Sequence, residues 1–140
     1  MSNQIEHHKP TLLKPWANNA RTHSRKQLRQ IADSIEEFGF TNPIIIDNDN
    51  VILAGHGRVE AAKQLGLETV PCLRQDQMSE VQKRAYVLAD NKLALNAGWD
   101  EELLATELGA LGELELDFSV EITGFSIPEI DILIEGASVE

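Results

Sequence analysis

Apolar residues recur along this chain with two different periods, and the places where the period changes mark the elements. From Ser24 onward Leu28, Ile31, Ile35 and Phe38 fall three or four apart, the spacing of one helix face, and Gly39 follows the end. Pro43-Ile-Ile-Ile-Asp47 and Val51-Ile-Leu-Ala54 are short β-branched runs joined by Asn48-Asp49-Asn50, which predicts a hairpin with a tight turn. The Asp47–Asn50 run is too short for a calcium loop and lacks its distal glutamate, so it reads as a turn. A helix from about Val59 to Leu65, ended by Gly66, leads to a strand over residues 69–73; a connection of this length predicts parallel pairing through a crossover.

The remaining elements are marked by caps. Ser79-Glu-Val-Gln82 has the capping-box pattern and opens a long helix to about Asn96, before Gly98. An acidic helix follows from Asp100 to Leu111, with Leu103, Leu104, Leu108 and Leu111 on one face. Ser126 with Glu129 forms another box for a last helix over residues 127–134, whose Ile- and Leu-rich face either packs on its own core, the expected outcome, or meets a partner or a second copy. Pro10, Pro15, Trp16 and Asn18-Asn19 predict an extended N-terminal arm packed through Trp16, with at most a short strand around Leu12-Leu13. The organisation expected is an arm over 1–23, a core over 24–99 and an acidic helical extension over 100–140.

Composition narrows the class. At 140 residues, 42% hydrophobic and 25% charged, the chain suits one globular fold. It has no run of membrane-spanning length, its first residues lack a signal peptide's apolar stretch, and its one cysteine, Cys72, has no internal partner. These features predict a cytoplasmic protein with Cys72 as a small apolar residue in a buried strand. The net charge of −11 argues against indiscriminate DNA coating. It is unevenly spread: residues 1–30 balance at +5, residues 31–75 at −4 and residues 76–140 at −12. A basic face on an acidic protein fits this distribution, as does an ordinary solvated helix surface.

The candidate chemistry lies where Val51-Ile-Leu-Ala54 passes through Gly55-His56-Gly57-Arg58 into a helix. Glycines without Cβ let backbone N–H groups approach an anion, and the helix N-terminus and Arg58 supply favourable charge. The same glycines also suit any tight βα turn. His56 has three readings: a phosphate ligand, an acid or base near neutral pH, or a ring that bonds a backbone carbonyl. No HxH, CxxC or HExxH spacing supports a transition-metal site.

Over about Asn18 to Trp99 the order of elements, Ile-Ala-Asp-Ser-Ile-Glu-Glu-Phe-Gly-Phe-Thr-Asn-Pro-Ile-Ile-Ile-Asp, then Ile-Leu-Ala-Gly-His-Gly-Arg, then Ala-Ala-Lys-Gln-Leu-Gly-Leu-Glu-Thr-Val-Pro, resembles the ParB/sulfiredoxin-like domain. With Ala-Asp-Asn-Lys-Leu-Ala and Asn-Ala-Gly-Trp-Asp further on, it looks like the ParB-like N-terminal domain found with phage and prophage DNA methyltransferases. The resemblance implies a mixed α/β fold, a small sheet flanked by helices. It also implies that Gly55, His56, Gly57 and Arg58 face nucleotide phosphates, joined by Asn91 and Lys92, with Asp90 and Asn91 near a Mg²⁺ that accompanies a nucleoside triphosphate, CTP or ATP. By periodicity alone Asp90, Asn91 and Lys92 also suit a solvent face.

Two departures from the family pattern bear on activity. ParB proteins that hydrolyse CTP usually show Gly-Glu-Arg-Arg and an Arg three residues after the acidic-Asn pair, whereas this chain has Gly-His-Gly-Arg and Ala94. Lys92 offers a point charge in place of a bidentate fork. In sulfiredoxin the loop carries a nucleophilic cysteine, where this chain has His56, so reductase activity is not expected. The resemblance implies a domain that binds nucleotide phosphate or DNA in partition, DNA modification or phage DNA metabolism, with DNA, a methyltransferase or a second copy as partner. Two alternatives are a metal-dependent nuclease or CTP/ATP hydrolase, with His56 and Asp90 as candidate catalytic residues, and a regulatory protein-interaction module that has lost its ligand. The helix-turn-helix that follows this domain in partition proteins does not stand out in the acidic C-terminal part, so operator recognition by this chain alone is not expected.

Overall fold

A computed structural model describes residues 4–138; the first three residues of the expected arm and the last two of the extension lie outside it. Two compact units are present, one up to Asn96 and one from Ala97.

The first unit is built on a mixed sheet. In chain order it contains β1 (Glu6–His8), α1 (Arg25–Phe38), β2 (Ile44–Ile46), β3 (Ile52–Ala54), α2 (His56–Leu65), β4 (Val70–Arg74) and α3 (Glu80–Asn96). Among the described residues the strand order is β1-β4-β2-β3. The expected hairpin is present: β2 and β3 pair antiparallel, and the Asn50 N–H closes the turn onto the Asp47 carbonyl at 3.2 Å, with Asn50 left-handed at φ 63°. The Asp47 carboxylate caps the turn by accepting the Asp49 and Val51 N–H groups at 2.8 and 2.9 Å. β4 pairs in parallel as expected, but with β2, because the hairpin places β3 at the sheet edge and leaves the other side of β2 open.

The arm departs most from expectation. Instead of a strand around Leu12-Leu13, residues 10–12 form a 3-10 turn and β1 forms earlier, antiparallel to β4 with His7 opposite Pro71. Polar Glu6-His7-His8 gives little strand signal; the strand is held by partners distant in sequence. The Arg74 guanidinium grips Glu6 bidentately at 2.7 and 3.1 Å and also donates to the Asp47 carbonyl at 2.6 Å.

Ile44, Ile46, Val59, Val70 and Cys72 are almost wholly buried, and with Leu13, Ile52 and Ala62 they form the core. Each fully buried aliphatic side chain contributes about 1.5–3 kcal/mol. α1 begins after Ser24 as expected, where a capping box not read from the sequence joins Ser24 to Gln27, and it ends at Gly39. Its inner face is centred on buried Ala32, with Leu28, Ile31 and Ile35 half-buried; Phe38, expected on that face, is more than half exposed at the last turn. α3 also has its box, Ser79 with Gln82, and is pinned by Lys83, whose ammonium meets Asp47 at 3.1 Å and Glu80 at 3.0 Å.

The second unit comprises α4 (Glu101–Glu113), a 3-10 turn over Val120–Thr123, and α5 (Ile127–Ser138). Asp100 caps α4 through the Leu103 N–H, and Ser126 with Glu129 caps α5. Ala105, Leu108 and Ile130 are buried where α4 and α5 pack, and Trp99 meets Phe125 edge-on at 5.4 Å. Leu103, expected on the inner face with Leu104, Leu108 and Leu111, is exposed, because it lies about 100° round the helix from Leu104 and Ala105 takes the inner position. Ile132 is also exposed, so α5 packs through Ile130 without burying its whole apolar face.

Candidate phosphate-binding cleft

The candidate site forms where β3 runs into α2. Gly55 adopts φ 103°, a left-handed conformation that turns the chain from the buried strand directly into the helix. α2 begins at His56, three residues earlier than the periodicity indicates, so Gly57 and Arg58 belong to its first turn. The first N–H groups of a helix have no intrahelical acceptor, and Gly55 provides no capping side chain. The turn therefore presents backbone donors at the positive end of the helix.

A cleft of about 190 Å³ opens over this turn. Gly55 to Arg58 form its floor, Arg21 and His23 come from the segment before α1, and Asp90, Asn91 and Ala94 come from α3. α3 thus turns Asp90 and Asn91 toward the glycine turn, whereas Lys92 is exposed and does not line the cleft. Arg21 and His23 were legible in the sequence only as part of a basic N-terminal balance; Arg21 donates to Asn91 Oδ1 at 3.5 Å, and Asn91 Nδ2 donates to the Val87 carbonyl at 2.9 Å.

Arg58 is the most constrained cation of the cleft. Its Nη2 donates to the Pro43 carbonyl at 3.1 Å, and its Nε is buried with no partner among the described residues. Burial works against its charge, while Asp90 and then Tyr86 favour it. A buried donor without an acceptor costs about 1–3 kcal/mol, a cost that an added anion removes.

His56 bonds the backbone, but to an N–H and not to the carbonyl expected. Its Nε2 accepts the backbone N–H of Trp16 at 3.0 Å, so the ring is bonded to the backbone as an acceptor, and the proton of the neutral ring is assigned to Nδ1. Burial, and after it the neighbouring His23, lowers the His56 pKa, with Glu60 opposing; burial and then Arg21 lower that of His23. Both rings are therefore neutral at pH 7. Cys72 lies elsewhere, fully buried in β4, with its pKa pushed up to about 11 mainly by burial; it is the inert apolar residue expected.

The donor set of the cleft suits a Mg²⁺ carried by phosphate. Asp90 and Asn91 offer oxygen ligands, and no group of three or more His, Cys, Asp or Glu side chains suited to a metal occurs among the described residues. Mg²⁺ is commonly held by one or two carboxylates together with substrate phosphates.

A four-stranded mixed sheet flanked by helices is the fold that this chain shares with ParB and sulfiredoxin, that of the ParB/sulfiredoxin superfamily. Within it, this chain belongs to the ParB N-terminal domain family, which matches residues 1–92. Residues 102–140 match the ParB-methyltransferase HTH domain. The match falls in the part where a helix-turn-helix does not stand out from the sequence, since residues 97–140 are acidic and contain no Lys or Arg.

The ParB-like nuclease domain-containing protein YnaK of Escherichia coli (strain K12) is 47% identical over 72 residues, which cover 51% of this chain and 83% of YnaK. The C-terminally truncated chromosome-partitioning protein ParB from Caulobacter crescentus, complexed with CTP-gamma-S, superposes with a TM-score of 0.67 at 22% identity; the match covers 79% of this chain and 63% of that one. Sulfiredoxin from Arabidopsis thaliana gives a TM-score of 0.50 at 22% identity, covering 60% of this chain and 97% of its own. At these identities the structural likenesses establish the fold. Among the described residues no helix is long and apolar enough to cross a membrane.

Proposed function

We propose that this protein binds the phosphates of a nucleoside triphosphate, CTP or ATP with Mg²⁺, in the cleft over Gly55–Arg58, and that it acts in DNA partition, DNA modification or phage DNA metabolism. The observation that carries this reading is the uncapped first turn of α2 beside a buried, unpartnered Arg58 Nε. Arg21, Asp90 and Asn91 complete the cleft, and the CTP-gamma-S complex of a ParB protein of the same fold supports the choice of ligand. Arg21 supplies a second cation where Ala94 stands in place of the family's arginine.

The DNA side of the function falls to the first unit or to a partner. Residues 97–140 carry twelve Asp and Glu and no Lys or Arg, whereas DNA affinity grows with the number of phosphates that cations neutralise. Lys9, Lys14, Arg21, Arg25, Lys26 and Arg29 form the basic counterpart.

Thermal unfolding with each of the four ribonucleoside triphosphates, with and without Mg²⁺, tests the reading. A ligand at one hundred times its Kd adds about 2.7 kcal/mol of stability. One nucleotide is expected to raise the midpoint of the wild type and leave Arg58→Ala unmoved. No shift with any of the four would favour a protein-interaction module without a ligand. Turnover of the bound nucleotide, or DNA cleavage, that is lost in Asp90→Ala would favour the enzymatic reading suggested by the name of YnaK.

A further inference from the structure

The segment between β1 and α1 brings Arg21 and His23 into the cleft, yet little holds it there. After the isolated bridge of Lys14 to Val51 it has no strand partner, and its own bonds are local: the Asn19 N–H meets the Trp16 carbonyl at 3.1 Å, and the Arg21 N–H meets Asn19 Oδ1 at 3.2 Å. Two side-chain bonds tie residues 15–23 to the rest of the unit among the described residues. One is the 3.5 Å contact of Arg21 with Asn91; the other, shorter, runs from the Trp16 N–H to His56 Nε2 at 3.0 Å. Trp16 is half-buried, where an amide without an acceptor is costly.

We propose that His56 is the positioning residue of the cleft: by accepting the Trp16 N–H it fixes the segment over residues 16–23, and with it Arg21 and His23, above the glycine turn. The inference rests on the phosphate-binding reading for its functional consequence, though not for the tether itself.

The placement of His56 suits this role. It is the first residue of α2, directly after Gly55, so its ring and the helix donors move as one body. The ring lines both the cleft and a second hollow of about 250 Å³ bordered by Leu13, Pro15, Leu28, Glu60 and Lys63. His23, the ring opposite, lies so close over Gly57 that a Cβ there would stand 3.0 Å from its imidazole, so the end of the segment is seated against α2 as well. Only a neutral imidazole has the lone pair this bond needs. Burial and the neighbouring His23 favour that form, with Glu60 on the same helix opposing and Arg21, Arg58 and Lys63 the cations that line the same hollows.

The test compares His56→Leu, which has no acceptor, with His56→Gln, which keeps one, in the full chain. Without any ligand, amide hydrogen exchange at Trp16 is expected to quicken at least tenfold in His56→Leu while Ile46 in the core stays protected, and to stay closer to wild type in His56→Gln. Unchanged Trp16 protection in His56→Leu, or a wild-type ring that carries its proton on Nε2 by nitrogen NMR, would overturn the tether. With Mg²⁺ and the triphosphate that binds the wild type, His56→Leu and Arg21→Ala are each expected to weaken binding about tenfold, the size of one charge-assisted contact, and the double variant no more than either alone. Additive losses would overturn the positioning role. Failure of every triphosphate to bind the wild type would instead count against the phosphate site, and Trp16 exchange would still decide the tether.

Discussion

Gly55 and Arg58 fit one another so closely that a Cβ on Gly55 would stand 3.0 Å from the Arg58 Nη2, and 2.7 Å from Ile44 Cδ1. The glycine both turns the chain at φ 103° and clears the space in which the guanidinium reaches the Pro43 carbonyl. Gly55→Ala is therefore expected to destabilise the fold by about 2 kcal/mol, from the left-handed conformation and the displaced neighbours together. Denaturant unfolding measures the loss. Gly57→Ala has no such backbone strain and is expected to cost less, while pushing His23 aside.

Lys83 and Asp47 form a buried pair that joins α3 to the hairpin turn. Lys83→Met leaves the Asp47 carboxylate buried without its cation, and a loss of about 3 kcal/mol in unfolding free energy is expected. Adding Asp47→Asn is expected to recover part of it, because the uncompensated charge is gone. A double variant whose loss equals the sum of the two single losses would show that the pair is not coupled.

Acid is expected to weaken the fold in two ranges. His23 and His56 have pKa values held below the usual 6.5, so the unfolded chain takes up their protons more readily; the stability they contribute is complete above that value and declines as pH falls below it. Glu6 is lowered from 4.5 to about 2, first by its bond to Arg74 and then by His8, so its contribution is complete above 4.5 and is lost as pH falls toward 2. Denaturant midpoints measured across pH report both ranges. Glu6→Gln is expected to flatten the lower one, and an unchanged slope would contradict the role given to the Glu6–Arg74 pair.

Cys72 is fully buried and has its thiol pushed up to about 11. A thiol-reactive dye is expected to label it only after denaturant unfolds the chain. Rapid labelling of the folded protein would contradict its place in the core.

What the sequence disclosed was governed by local chemistry. The helix start at Ser24, the boxes at Ser79 and Ser126, the Asp47 turn and the β-branched runs of β2 and β3 each act within a few residues, and each stands where its pattern indicates. What stayed hidden depends on distant partners. β1 exists through its pairing with β4 and the grip of Arg74 on Glu6, 68 residues away. Arg21 and His23 reach the cleft because Trp16 is held by a ring 40 residues on. The family resemblance drew attention to Gly55, Arg58, Asp90 and Asn91, which share one cleft, and to Lys92, which lies outside it. The helix-turn-helix match was masked by charge, since an acidic unit without Lys or Arg lacks the usual sign of DNA contact.

The most direct test is to follow the backbone amides of Gly55, His56, Gly57 and Arg58 by nitrogen-15 NMR while a Mg²⁺-nucleoside triphosphate is added, with the matching nucleoside as control. The account predicts that these four amides shift with the triphosphate, that the nucleoside leaves them in place, and that Arg58→Ala abolishes the response. Saturable binding of the triphosphate with these four amides unmoved would contradict it.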